Sequence, residues 1–126
     1  TAIVSAEGIV WLFGAPAEII ASIAPRATTT PVGMALASQL GGIPALAAVI
    51  VLMSGVIGAM TATPLLNLLK IRDYRARGFA VGVSAHGFGA ARAFQVDQTA
   101  GAFASLGMAL NAVATATILS IVASLI

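Results

Sequence analysis

Two stretches of the chain are apolar throughout, Pro44 to Leu69 and Gly101 to Ile126. Each exceeds the ~20 residues that a helix needs to cross a bilayer, so each predicts a spanning helix. Ala2 to Ala24 reads as a third span, interrupted near "GAPAE" at Gly14 to Glu18. Charges punctuate this pattern. None falls between Arg26 and Lys70, then comes "KIRDYRAR" from Lys70 to Arg77, and none follows Asp97. Glu7 and Glu18 are costly in lipid and are expected to face protein, water or the interface.

Two further stretches do not fit as ordinary spans: "TTTPVGMALASQLGG", Thr28 to Gly42, and "GFAVGVSAHGFGAARAFQ", Gly78 to Gln95. The first would make roughly 22 Å of helix against ~30 Å of hydrocarbon. Pro31, Gly82, Gly87 and Gly89 are the expected helix breaks, because proline lacks an N–H and glycine tolerates unusual dihedrals. Broken or re-entrant pieces survive in a membrane only where protein or a water-filled cavity covers their backbone.

The pattern also repeats. Sliding the sequence by 56 positions places Gly33 on Gly89, Ala35 on Ala91, Ala37 on Ala93 and Gln39 on Gln95. Thr28 then meets Ser84, and Thr30 meets His86. Each copy, 28–69 and 84–126, carries a small polar tip, a short small-residue helix, a break and a long apolar span. If the short pieces do not cross, the copies have opposite orientations, as in inverted-repeat transporters with midplane substrate sites.

Composition agrees with this picture. The chain is 60% hydrophobic and 8% charged, with a mean hydropathy of +1.05. Soluble domains carry about 25% charged residues. A soluble fold of this length cannot hide so much apolar surface. The fold class expected is therefore an all-α integral membrane protein, multi-pass, with broken or re-entrant helices, forming a single membrane domain. The pI near 10.0 rests on a net charge of only +2. Most of that charge lies in the 70–77 loop, so it speaks to topology rather than to nucleic acid, and the positive-inside tendency puts that loop in the cytoplasm. With no cysteine, structural disulfides and cysteine-based metal sites are excluded; one histidine besides argues against zinc. Thr1 is not a start methionine, and the sequence is expected to be the C-terminal portion of a longer chain.

The candidate chemistry sits on the two short pieces. Thr28, Thr29 and Thr30 precede or open a helix that begins with Pro31. Simple helix capping accounts for them; so does an anion site, because a helix N-terminus offers free N–H groups and partial positive charge. Ser84 and His86 lie among Gly82, Gly87 and Gly89, with Arg92 beyond. Arg92 reads either as structural glue paired with Asp97 or Glu18, or as a fork for a carboxylate. His86 reads either as a neutral imidazole bonded to nearby backbone or as a proton carrier. "GFGAAR" lacks the third glycine of a dinucleotide loop. A Ser84–His86 hydrolytic dyad is disfavoured, because residues two apart on a helix face different sides. Small-xxx-small pairs, Ser54/Gly58, Gly55/Ala59 and Gly78/Gly82, read as close helix packing, within the chain or in a homo-oligomer.

The segments "ATTTPVGMALASQLGGIPALAAVIVLMSGVIGA", "LLKIRDYRARGFAVGVSAHGFGAARAF" and "QTAGAFASLGMALNA" resemble the LrgB/CidB/YohK family of membrane proteins. The resemblance runs in order from about Ala15 to the C-terminus, and TTP with S-x-HG-x-G-x-AR are its most specific motifs. Ala85 departs from the family, where many bacterial members carry Ser or Thr. The resemblance implies a bacterial inner-membrane protein with one of two roles. One is antiholin-like regulation of murein hydrolases beside a small holin-like LrgA/CidA partner. The other is transport, because the plastid glycolate/glycerate translocator shares this domain. It brings no catalytic residues and no cofactor. The residues favour transport of small monocarboxylates such as glycolate, glycerate, lactate or pyruvate. Thr28, Thr29, Thr30 and Ser84 would hold the carboxylate, Arg92 would supply charge and His86 a proton.

Overall fold

The computed structural model describes residues 2–125, and among them every regular element is a helix. They are α1 (Ala2–Leu12), α2 (Ala17–Ile23), a 3-10 turn (Ala24–Ala27), α3 (Thr30–Gln39), α4 (Pro44–Leu68), α5 (Tyr74–Val96) and α6 (Gln98–Leu125). The two long apolar runs become α4 and α6, long and apolar enough to cross a membrane. Only 17% of the most apolar window in each is buried, so these helices are not the core of a soluble fold. Their bare faces carry residues such as Met60, 73% exposed, and Val113, 66% exposed. Lipid is the solvent that accepts such surface. The chain is thus an α-helical membrane protein. The first apolar stretch is not one rod: α1 stops at Leu12, Gly14 turns the chain at φ +71°, and α2 starts after Pro16.

The helices pack as two compact units, Thr1–Leu52 with Ala112–Ile126, and Met53–Asn111. In the first unit, α2 and the 3-10 turn run out to Thr28 and α3 runs back. A Cβ on Gly33 would lie 3.6 Å from the carbonyl of Pro25, eight residues earlier. Along one straight helix such residues stand about 12 Å apart, so the chain has doubled back. At the far end Gly41, at φ +77°, turns the chain so that Gly42 lies on the Ala21–Ser22 backbone. There the Ile43 N–H donates to Ser22 Oγ at 2.7 Å. Ala24, Leu36 and Leu119 form the apolar core of this unit.

The second unit repeats the device inside a single helix. α5 breaks at His86, whose φ 47°, ψ −131° lie far from helical values. Its arms, 74–85 and 87–96, fold against each other. A Cβ on Gly89 would meet the carbonyl of Val81 at 2.6 Å, again eight residues back. At 1.5 Å per residue the arms are about 15–18 Å long, half the thickness of the hydrocarbon core. The two arms therefore run antiparallel, and each is too short to cross the hydrocarbon core alone. Its tip packs where α4 is thinnest: Gly55, midway along α4, faces Ala85 O and His86 Nδ1, and Gly58 faces Ala85 Cβ. Gly78 and Gly82 meet the backbone of Ala100 and Ala104 on α6 so closely that any Cβ would overlap it. Two small-xxx-small faces thus lie together, the packing that suits helices in lipid.

The break falls within the expected glycine-rich stretch, on His86 itself rather than on a glycine. Gly82 and Gly89 sit within the helical arms, where their missing side chains admit a neighbour. Gly87 follows the break with open space around its Cα. The 70–77 run is likewise only partly loop. Asp73 caps α5, its carboxylate accepting from Arg75 N–H at 2.9 Å, and Arg75 and Arg77 lie on the helix.

Candidate functional site

The chemistry-bearing residues occupy two hairpin tips and one hairpin base. In the first unit Thr28 is buried, and its hydroxyl donates to Pro25 O at 2.7 Å. Thr29 is the N-cap of α3 in extended conformation, but its side chain makes no capping bond. Thr30 and Pro31 form the first turn, and Gly33 N–H closes on Thr29 O at 2.8 Å. The structure brings Thr28, Thr29, Thr30 and Pro31 together at the α3 N-terminus, with the Thr28 hydroxyl committed to the backbone.

In the second unit Ser84 and His86 share the tip of the α5 hairpin. The Ser84 hydroxyl is exposed and donates to Ala80 O at 2.8 Å rather than to the imidazole. His86 is 3% exposed, and its Nε2 is buried without a hydrogen-bond partner. A buried, unsatisfied polar atom costs about 1–3 kcal/mol. The positive φ of a side-chain-bearing residue adds strain of the same order. Two costs thus fall on one residue at the tip of the α5 hairpin.

Arg92 does not join this tip. It lies six residues along the returning arm, about 9 Å of helix away. Its Nη1 donates to Gln95 Oε1 at 3.1 Å, so neither Asp97 nor Glu18 is its partner. Among the described residues no carboxylate lies within ion-pair distance of it; the ion pair present joins Arg75 to Asp73 at 3.2 Å. Arg92 instead lines a small, open cleft of about 30 Å³ with Tyr74, Arg77, Thr63, Leu66 and Val81. Sequence reasoning counted Arg77 as a topology signal only. The fold-back of α5 makes it a cleft residue, and that depends on knowing where the helix breaks. Among the described residues no His, Cys, Asp and Glu group could hold a metal ion.

Two long apolar helices, with shorter helical hairpins that carry the polar groups, define a helical membrane protein. The chain belongs to the LrgB-like family, which it matches over residues 1–125. It is 35% identical over 97 residues to the uncharacterised protein YwbG of Bacillus subtilis, covering 77% of this chain and 43% of that one. It is 32% identical over 110 residues to the holin-like protein CidB of Staphylococcus epidermidis, 87% of this chain and 48% of that one. The holin-like protein CidB of Staphylococcus aureus is 31% identical over 109 residues, 86% of this chain and 48% of that one. The chain spans about half the length of the curated relatives it matches. No solved structure matches it.

Proposed function

We propose that the chain is part of a carrier that moves small monocarboxylates of the glycolate, glycerate, lactate or pyruvate type across a bacterial inner membrane. The observation that carries this reading is His86: a strained hairpin tip with an unpartnered buried Nε2, packed on the middle of α4. A static structural element has no use for an unsatisfied imidazole nitrogen there, whereas a passing hydroxycarboxylate can supply the missing partner. Ser84 adds a hydroxyl with acceptor capacity at the same tip, and the α3 N-terminus with Thr29 and Thr30 offers a second polar tip. The two tips, Thr28 and the Ser84–His86 segment, open the two copies of the repeat 28–69 and 84–126, and His86 carries the coupled proton. The positive-inside tendency puts the basic 70–77 segment on the cytoplasmic side. The test is uptake of labelled glycolate into proteoliposomes holding the full-length protein. The wild type should exceed empty liposomes, and His86→Ala should fall to their level. Wild-type uptake equal to empty liposomes would sink the carrier.

A second reading rests on the relatives' name. Holin-like CidB proteins support an antiholin-like regulator of murein hydrolase activity and lysis, acting beside a small LrgA/CidA-type membrane partner. A chain that moves no solute but co-purifies with such a partner from the membrane would favour it.

A further inference from the structure

We propose that the cleft at the base of the α5 hairpin is an oxyanion-binding site, with Arg77 and Arg92 as its paired ligands and Tyr74 and Thr63 beside them. The register of the hairpin brings the two arginines together. The Gly89–Val81 contact, continued three residues along each arm, sets Arg92 level with Gly78, next to Arg77. Both guanidinium groups then face one cleft, walled by α4 through Thr63 and Leu66 and by α5 through Tyr74 and Val81.

Neither arginine is neutralised. Arg77 Nη1 donates to Asn67 Oδ1 at 2.9 Å and to Ile71 O at 3.0 Å, and Arg92 Nη1 donates to Gln95 Oε1 at 3.1 Å. These acceptors are uncharged, and they hold the side chains in place while leaving the Nε and Nη2 donors of both forks without a protein acceptor among the described residues. Arg77 is half-buried and Arg92 exposed, so solvent screens part of their repulsion, and an anion between two like charges lining one cleft would be drawn to both. A planar guanidinium fork suits the two oxygens of a carboxylate or phosphate. The Asp73–Arg75 pair outside the cleft shows the contrast: there a cation already has its carboxylate.

The shared chemistry is a single oxyanion, which reaches the cleft either as a soluble carboxylate or as the headgroup phosphate of an anionic lipid. The first source rests on the carrier reading and makes the cleft its waiting site. The second does not. Binding to the full-length protein separates the two without any uptake. One arm measures equilibrium binding of labelled glycolate in a neutral detergent. The other measures phosphatidylglycerol retained through purification, by native mass spectrometry. Arg77→Gln and Arg92→Gln should each weaken one of these ligands about tenfold or more, the usual value of a charge-assisted bond. Arg72→Gln, an equal charge change outside the cleft, should leave both ligands unchanged. Arg77→Lys, which keeps the charge and the bond to Asn67, should retain part of the binding and guards against loss of the fold. Glycolate lost from the cleft variants identifies a solute site, and lipid lost identifies a headgroup site. If neither ligand distinguishes Arg77→Gln and Arg92→Gln from Arg72→Gln, the site does not exist. A binding-positive protein that transports nothing overturns the carrier and leaves the cleft standing.

Discussion

The two hairpins solve one problem in opposite ways. Each must turn a short helix around inside the protein, and each has a glycine eight residues from the carbonyl it meets, Gly33 on Pro25 and Gly89 on Val81. In the first unit the residue at the bend is an ordinary one with its hydroxyl satisfied. Thr28 fills its own buried site, bonds to Pro25 O and hands over to an N-cap in ordinary extended conformation. In the second unit the turn falls on His86, held at positive φ with a buried nitrogen unpaired. One tip has the features of a structural joint. The other bears two costs that a threonine turn avoids, and the neighbouring Gly87 could have carried the positive φ without strain. The lesson is that a shared outline does not imply shared duty: the tip left incomplete is the one to test for a ligand.

The largest effect should come from closing the glycine contacts of the second unit. Gly82→Ala drives a methyl into the Ala104 carbonyl and should cost roughly 3 kcal/mol, at the upper end of overpacking. Gly33→Ala meets the Val51 side chain at 3.0 Å and the Thr28 hydroxyl at 3.3 Å, and about 1 kcal/mol is expected. Thermal unfolding in detergent ranks the pair, and equal losses would break the claim that the second hairpin is the tighter one. Next is His86→Gly, which removes both costs at once. It should raise stability by about 1–2 kcal/mol while abolishing glycolate uptake, whereas a destabilised variant would mean that His86 is simply a structural residue. Thr28→Val loses the bond to Pro25 O and should lower stability by about 1 kcal/mol with uptake unchanged; loss of uptake would add Thr28 to the site.

The smallest effect is a pH dependence at the start of α5. The Arg75 side chain, bonded to Asp73, holds that carboxyl below the usual carboxylate range, helped by the Arg75 N–H. A depressed folded pKa means stabilisation that is present above the unfolded pKa and lost as pH falls through the folded one. The loss should begin near about pH 4 and continue below it. It should be slight, because both side chains are exposed, and Asp73→Asn should remove that acid limb from the unfolding curve.

Much of this architecture was legible from composition and spacing. Unbroken apolar length predicted α4 and α6, and the two stretches that failed as spans became hairpins. The small-residue spacing of Gly78 and Gly82 anticipated a close neighbour, although not that it would be Ala100 and Ala104. What stayed hidden was which residue would take the turn. Propensity pointed to the glycines, but tertiary packing claimed Gly82 and Gly89 for close contacts and left the turn to His86. That single displacement hid the cleft, because Arg77 and Arg92 are fifteen positions apart in sequence and meet only once the fold-back register is known.

The contact between the α5 hairpin and α4 also limits which side chains α4 can carry. At Gly55 the nearest atoms belong to the Phe88 ring, Ala85 O and His86 Nδ1, and at Gly58 to Ala85. A bulky residue at either position would press directly on the residues that frame the break. Two α4 glycines without polar chemistry of their own thus decide how closely the imidazole can settle.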